Sequence, residues 1–432
     1  MSKYFNKLVI GIDVDSTSSV ATILSPTGEP FKKAFRFTHT LKGFKYFLTE
    51  IKKAEKKFCM KPITFMESTG VYHSTLFYFL IKNDYEAFII NPLITNCNKN
   101  KNVRKHKSDK SDSLAIAKLA KYEDIKAYSY FDISIFTLKA LCRDYYKLID
   151  TRTTFKLKLN ADLGLIFPGY NKVFSDKASK TSFTLLKAYQ TPQSIIDAPR
   201  KDILEILSVS RQSENWCNKI YDKLISLASE AVEISIPSSA LSVRILNSIS
   251  VIESLNKQID ILLNEIKTFA NSDDVPQSFR DNISYIRSIG GIGILSAITI
   301  LSEIGDIRRF KKPKQLVAFL GVDPSVNQSG KFIGDRNKMS KRGSRLARRV
   351  LFTIILSVIK KKSNGEFSNQ SLYEYYHKLI ITKKKKVSMI AVMHKMIKYI
   401  FAVLRNQKPY VHRPPEIHKR MFLENTAPKP AA

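Results

Sequence analysis

Hydrophobic positions in the first 125 residues or so follow two periods in turn, about 2 and about 3.6 residues, which mark strands and helices. Lys7–Asp15 (KLVIGIDVD) and Ser19–Leu24 (SVATIL) are short, β-branched apolar runs, and Pro26-Thr27-Gly28 supplies a turn into a third run, Phe31–Phe37. Helical spacing follows over Leu41–Lys57, then a strand over Ile63–Met66, a helix over Tyr72–Lys82, a strand over Ala87–Ile90 that stops at Asn91-Pro92, and an amphipathic helix over Ser111–Tyr122. Three adjacent strands followed by β-α-β units predict a mixed sheet covered by helices.

Past residue 128 the strand pattern stops. Residues 129–285 read as helix, and the most regular stretch places Leu241, Ile245, Ile252, Leu255, Ile259, Leu262, Ile266 and Phe269 on an a/d heptad broken only by Ser248. That spacing predicts either a coiled coil joining two protomers or one buried helix of an intramolecular bundle. Residues 286–408 are helical again and more basic, and the proline-rich stretch 409–432 reads as a flexible tail. Within the third region, Ser288–Ile304 sets Gly290, Gly291 and Gly293 between two apolar helical segments. This is the spacing of a helix-hairpin-helix, whose turn can offer N–H groups to a phosphate, and equally that of an ordinary tight αα corner. The expected fold class is α/β plus all-α.

Charge changes the picture most. The 432 residues carry 71 Lys+Arg against 38 Asp+Glu, a formal net charge of +33, while 44% are hydrophobic. The apolar fraction excludes wholesale disorder, and a positive excess of this size predicts a polyanionic partner, nucleic acid before a membrane surface. The positive charge is not gathered on one amphipathic segment, and the longest apolar run noted, Leu351–Ile359, is far below the roughly 20 residues that span a bilayer. The four cysteines, Cys59, Cys97, Cys142 and Cys217, form no C-x-x-C pair and read as reduced thiols. A cytoplasmic, nucleoid-associated protein with no membrane partner is expected.

Four carboxylates stand where predicted elements begin or end. Asp13 closes the first strand, Glu67 follows another, and Asp109 and Asp112 lie three apart at the start of a helix. Taken singly, Asp109 fits a helix N-cap, Asp112 a favourable first-turn charge, and Asp13 a turn residue with Asp15 as the alternative ligand. Taken together, they are hard oxygen donors suited to Mg²⁺, or Mn²⁺ in its place. Six cations between Lys99 and Lys110, Lys105 and Lys107 among them, flank this acid pair, as a metal site that receives a phosphate backbone requires. GIDVDSTSS also looks like the first phosphate loop of sugar kinases and actin-like ATPases, but no later D-x-G-x-T loop accompanies it.

From Lys331 to Arg349 there are eight basic residues and one acid, Asp335. Lys331, Arg336, Lys341, Arg342, Arg345, Arg348 and Arg349 are the candidate nucleic-acid contacts, the last three on one helical face. Ser329, on a glycine turn among these cations, is either an ordinary turn residue or a nucleophile able to attack a phosphodiester.

GIDVDST, ESTGVYHSTL, Asn91-Pro92 and KSDKSDSLAIAKLA resemble the N-terminal domain of the DEDD-type insertion-sequence transposases, which include Piv-like DNA invertases and bridge-RNA-guided recombinases. SIGGIGILSAITILSEIGDIRRFKKPKQLVAFLGVDPSVNQSGKFIGDRNKMSKRGSRLARRVL resembles the C-terminal domain of the same family. The two matches come in the right order with a helical spacer between, and cover most of the chain. The resemblance implies a RuvC-like, RNase H-type domain over 1–128 with Asp13, Glu67, Asp109 and Asp112 as its acids. It implies a helical, coiled-coil spacer for dimerisation over 129–285, and a transposase domain over 286–408 with Ser329 as nucleophile. It further implies Mg²⁺-dependent strand exchange through a phosphoserine, donor and target DNA as partners, a structured guide RNA and a dimer or tetramer. Ser113 stands where the family usually has alanine, and only Gly330 follows Ser329 where a double glycine is common, with Ser325 and then Ser340 as alternative nucleophiles. The competing functions are a metal-only RuvC-like nuclease or Holliday-junction resolvase, and a nucleic-acid-binding protein without chemistry.

Overall fold

The computed structural model describes residues 2–67, 71–90, 94–95, 109–123, 132–209, 212–236, 238–325, 328–329, 332–333, 338–412, 417 and 420. The chain forms two compact units, Met1–Asp132 and Ile133–Ala432.

The first unit is mixed α/β. Its described elements are β1 (Val9–Val14), β2 (Ser18–Leu24), β3 (Pro30–Thr38), α1 (Leu41–Phe58), β4 (Ile63–Glu67), α2 (His73–Lys82), β5 (Ala87–Ile90) and α3 (Asp109–Tyr122). The strands lie in the order β3-β2-β1-β4-β5. The first three are antiparallel neighbours, and β4 and β5 continue the sheet parallel to β1. Alternation along β1 divides it between two apolar layers: Ile10, Ile12 and Val14 pack with Phe47 and Ile51 of α1 and Phe77 of α2, whereas Val9 packs with Phe65 of β4 and Ile116, Ala117 and Ala120 of α3. A strand covered on both faces needs the nearly unbroken apolar run seen in KLVIGIDVD.

Helix α3 lies hard against β1. A Cβ on Gly11 would stand 2.3 Å from the Ser113 carbonyl oxygen and 2.4 Å from the Ala117 nitrogen, so only glycine permits the approach. Beside this contact the buried hydroxyls of Thr22 and Ser113 share a hydrogen bond of 2.8 Å, so neither polar group is left unsatisfied.

Among its described residues the second unit is helical apart from a short hairpin and an isolated bridge between Lys361 and Phe367. Helix α4 (Ile133–Ile166) pairs antiparallel with a later helix, α9 (Ser239–Ala270), through Arg244 on Asp162 at 2.7 Å and Arg152 on Asn256 at 2.9 Å. Between them come α5 (Lys180–Ala188), α6 (Pro192–Ile196), α7 (Arg200–Ser208) and α8 (Glu214–Ile234), which form one apolar core with Leu159 and Leu163 of α4 and Leu241, Ile245, Ile249 and Ile252 of α9. The opposite ends of the pair, Leu138, Cys142, Ile266 and Ala270, enter a second core. That core is completed by α10 (Gln277–Arg287), α11 (Ile294–Ile304), α12 (Pro313–Phe319), α13 (Arg345–Val358), α14 (Gln370–Ile380) and α15 (Lys385–Asn406).

Within the chain, the heptad positions Leu241, Ile245, Ser248, Ile252, Ile259 and Ile266 are buried and Leu255, Leu262 and Phe269 half-buried, with α4 and α5–α8 packed on Leu241, Ile245 and Ile252, as in the bundle alternative. The break expected near residue 285 runs through a single core that holds Ile266, Phe279 and Ile298 together. Helix α15 is long and apolar enough to cross a membrane by length and composition. Its Met389, Val392, Met396, Ile397 and Ile400 are nevertheless buried in that core, as in the central helix of a bundle.

Buried Glu303 of α11 ties α4 in place by accepting two hydrogen bonds from Arg143, at 2.7 and 3.1 Å. Burial alone would raise its pKa; the Arg143 hydrogen bonds and the charges of Lys139 and Arg143 outweigh it and hold the carboxyl below its ordinary value.

Gly11→Ala is expected to destabilise the first unit by at least about 2 kcal/mol, since the helix above it must move. Thermal unfolding of the full chain followed by circular dichroism checks this: an unchanged profile would mean that α3 does not lie on Gly11.

Candidate active site

Strand register places the acids. Asp13 pairs with Val20, and Val20 with Arg36; one step beyond the Ile12–Met66 pair, Glu67 stands beside Asp13. Directly paired residues share a face, so Arg36, Val20, Asp13 and Glu67 form a row across four strands. Val9 and Phe65, which alternate with Asp13 and Glu67, belong to the layer under α3, so the row faces that helix. Ser2 and Lys7 meet the C-terminal end of α3, through Ser2 Oγ to the Ala120 carbonyl and Lys121 Nζ to the Lys7 carbonyl. The helix therefore runs against β1 and brings its first turn, with Asp109 and Asp112, over the row. All four sequence-predicted acids thus occupy one end of one face of the sheet.

Their individual states differ. Asp112 is buried at 9% exposure and Asp13 is half-buried. Glu67 Oε2 accepts the Thr95 hydroxyl at 2.9 Å. Asp109 is drawn toward β3, where Arg36 Nη2 donates to its Oδ2 at 2.6 Å while Arg36 Nη1 donates to Ser18 Oγ at 2.8 Å. Among the described residues no group of three or more His, Cys, Asp or Glu stands close enough to hold a metal ion. The donor set fits Mg²⁺ or Mn²⁺ in chemistry, all hard oxygen, but the four acids do not form a closed cage, and Asp109 is held by the Arg36 guanidinium. Arg36 and Thr95 were not legible as site residues, because nothing in their spacing relates them to the acids.

The second candidate element is a β-hairpin between α12 and α13 that the helical pattern of this region concealed. At its foot, Ser325 N donates to the Lys338 carbonyl at 2.7 Å, Ser340 N to the Asp323 carbonyl at 2.8 Å and Lys341 N to the Gly321 carbonyl at 3.1 Å. Further out, β6 (Gln328–Ser329) pairs with β7 (Phe332–Ile333), Ser329 opposite Phe332. Ser329 is thus the last paired position of β6. Gly321, at φ +67°, and Gly343 cross at the foot, where a Cβ on Gly343 would lie 2.1 Å from the Phe319 carbonyl oxygen. The alternative serines are engaged at this foot: Ser325 Oγ donates to the Lys338 carbonyl at 2.7 Å, and Ser340 Oγ donates to Asp323 Oδ1.

The basic candidates separate likewise. Arg348 donates to the carbonyls of Leu320 and Gly343 at 3.2 and 2.7 Å, which locks α13 to the hairpin foot. Arg349 pairs with Asp150 at 2.7 Å and lies over the Tyr146 ring. Lys341, Arg342 and Arg345 are exposed. Lys105, Lys107, Lys331 and Arg336 lie outside the described residues. The expected glycine corner joins α10 and α11, but Gly290 and Gly291 are packed, since a Cβ there would meet the Ser368 carbonyl oxygen at 1.7 Å and Val358 at 2.3 Å. Two of the three glycines therefore serve close packing, as in an ordinary αα corner.

Residues 10–168 match the sequence model of the DEDD transposases of IS110 type, and residues 283–376 match that of the IS116/IS110/IS902 transposase family. The chain belongs to this transposase family. It is 28% identical over 198 residues to the transposase for insertion sequence element IS1111A of Coxiella burnetii, which is 44% of this chain and 49% of that one. It is 28% identical over 132 residues to the pilin gene-inverting protein of Moraxella bovis, 30% of this chain and 39% of that one. The match to the IS116 44.8 kDa protein of Streptomyces clavuligerus is longer, 22% identical over 312 residues, 72% of this chain and 74% of the other. The matched stretch thus spans half or less of the first two relatives.

The arginines of this transposase should separate in experiment. Arg348→Ala is expected to lower stability by about 1–3 kcal/mol, because two backbone carbonyls lose their donor, whereas Arg345→Ala should stay within about 0.5 kcal/mol. Chemical denaturation of the full chain measures both; equal effects would contradict the assignment of Arg348 to structure.

Proposed function

We propose that this transposase is a DNA recombinase whose acidic row and hairpin serine act on the same phosphodiester. The observation that carries the proposal is the side-by-side position of Asp13 and Glu67 beneath the first turn of α3. The sheet order β3-β2-β1-β4-β5 is consistent with a RuvC-like domain, and the family membership supports DNA as substrate.

Asp13, Glu67, Asp109 and Asp112 would hold Mg²⁺, or Mn²⁺ in its place. A bound divalent ion supplies charge neutralisation and polarisation of the phosphate oxygens. Ser329 is the nucleophile: its Oγ forms a bond to phosphorus, the bond from phosphorus to one deoxyribose oxygen breaks, and the hydroxyl proton ends on that oxygen. Attack by the hydroxyl end of another strand reverses these changes, releases Ser329 and joins the strands without loss of the phosphodiester's energy. Ser325 and Ser340 are disfavoured because their hydroxyls already donate at the hairpin foot. Exposed Lys341, Arg342 and Arg345, together with Lys105, Lys107, Lys331 and Arg336, would meet the DNA backbone.

The net charge of +33 and the family support further partners. These are donor and target DNA read through a structured guide RNA, a homo-oligomer that aligns them, and a place in the cytoplasm with the nucleoid. A surface that holds backbones while base pairing reads sequence needs diffuse positive charge, which this chain has.

The test is capture of a labelled, nicked duplex carrying the element's ends on a denaturing gel, with RNA that co-purifies from the native locus retained and sequenced. Wild type and Ser325→Ala should form a covalent protein–DNA band; Ser329→Ala should form none, and Asp13→Asn should lower its yield by about 10²-fold or more. Strand cleavage that survives Ser329→Ala would mean a metal-only nuclease or resolvase instead.

A further inference from the structure

The strand row ends in a residue with no place in a carboxylate site. Arg36 stands on β3, two strands from Asp13 and on the same face, a separation of about 10 Å at ordinary strand spacing. Its guanidinium divides its donors: Nη1 is fixed to Ser18 Oγ at 2.8 Å, and Nη2 reaches Asp109 Oδ2 at 2.6 Å. Both partners of the ion pair are more than half exposed, Arg36 at 58% and Asp109 at 54%, so water and salt screen the attraction and the pair can open readily.

A divalent cation and a guanidinium compete for one carboxylate. While Arg36 holds Asp109, that oxygen is committed to the guanidinium. A cation among the acids would draw Asp109 back and repel Arg36, freeing Nη2 while Ser18 keeps the side chain anchored at the edge of the row. Phosphate is the natural next partner of such a planar, always-charged group. We propose that Arg36 is the counter-ion that keeps Asp109 off the metal position in the free protein, and that it transfers to a phosphate oxygen of the bound nucleic acid when the metal is taken up. This rests on the four-acid reading of the site. Arg36 is then a positioning residue for Asp109 in one state and a substrate contact in the other, so metal and DNA binding reinforce each other.

The experiment uses the full-length protein and Mn²⁺ as probe, with free Mn²⁺ measured by electron paramagnetic resonance in the absence of DNA, for wild type, Arg36→Gln, Arg36→Lys and Asp13→Asn. Removing the competing charge should tighten Mn²⁺ binding up to about fivefold in Arg36→Gln, with Arg36→Lys between it and wild type. In Ca²⁺, Arg36→Gln should bind a short duplex more weakly, and the slope of log affinity against log salt should fall by about one. Unchanged or weaker Mn²⁺ binding in Arg36→Gln, beside normal loss of binding in Asp13→Asn, would overturn the role of Arg36 and leave the acid site standing. Wild-type Mn²⁺ binding that Asp13→Asn does not alter would overturn both. Matching circular dichroism melts for Arg36→Gln and wild type exclude unfolding as the cause.

Discussion

The contact of α3 with β1 at Gly11 decides where the acids stand. Helix and strand backbones meet there with no side chain between them, and Ser113 and Ala117 fix the axial position of the helix over the strand. Any larger residue would lift or slide α3, and its first turn would leave the end of the sheet. Because the sheet register independently sets Asp13 beside Glu67, one backbone contact and one parallel strand pair suffice to gather four residues from three parts of the sequence. The buried Thr22–Ser113 hydrogen bond reinforces the same placement.

The second unit meets a different constraint, which is to carry a short hairpin rigidly on an otherwise helical core. Gly321 and Gly343 let the two chains cross at the foot, and Arg348 caps two carbonyls there. Glu303 and Arg143 then tie α11 to α4, so the core beneath the hairpin is anchored to the longest helix described. Charge that looks uniform in the sequence thus has two uses. Arg348 donates to two backbone carbonyls and Arg349 pairs with Asp150, while Lys341, Arg342 and Arg345 face solvent.

Much of the first unit was legible because its periodicities are clean. The strand Ala87–Ile90 and the start of α1 at Leu41 fall where the pattern put them, and the strands that carry Asp13 and Glu67 lie within a residue or two of the expected runs. Arg36 was hidden because its meeting with Asp109 depends on strand order and on a β2–β3 register that shifts between Ala21 and Leu24. The heptad in α9 specifies an apolar stripe and not its partner; at Leu241, Ile245 and Ile252 helices of the same chain pack on it. Helical spacing likewise put Arg345, Arg348 and Arg349 on one side without saying that Arg348 is held by backbone carbonyls at the hairpin foot and Arg349 by Asp150. The hairpin went unseen because its paired segments are two residues each, too short for an alternation to register against helical surroundings.

The central claim is that a serine at the hairpin tip and an acid row act on one phosphodiester. Mass-spectrometric mapping of the residue attached to DNA, after trapping the full-length protein on a suicide duplex in Mg²⁺ and digesting both components, tests it most directly. The account predicts a nucleotide remnant on the peptide that contains Ser329, and none when Asp13 is changed to Asn. A remnant on any other residue, or cleaved DNA with only free ends, would contradict it.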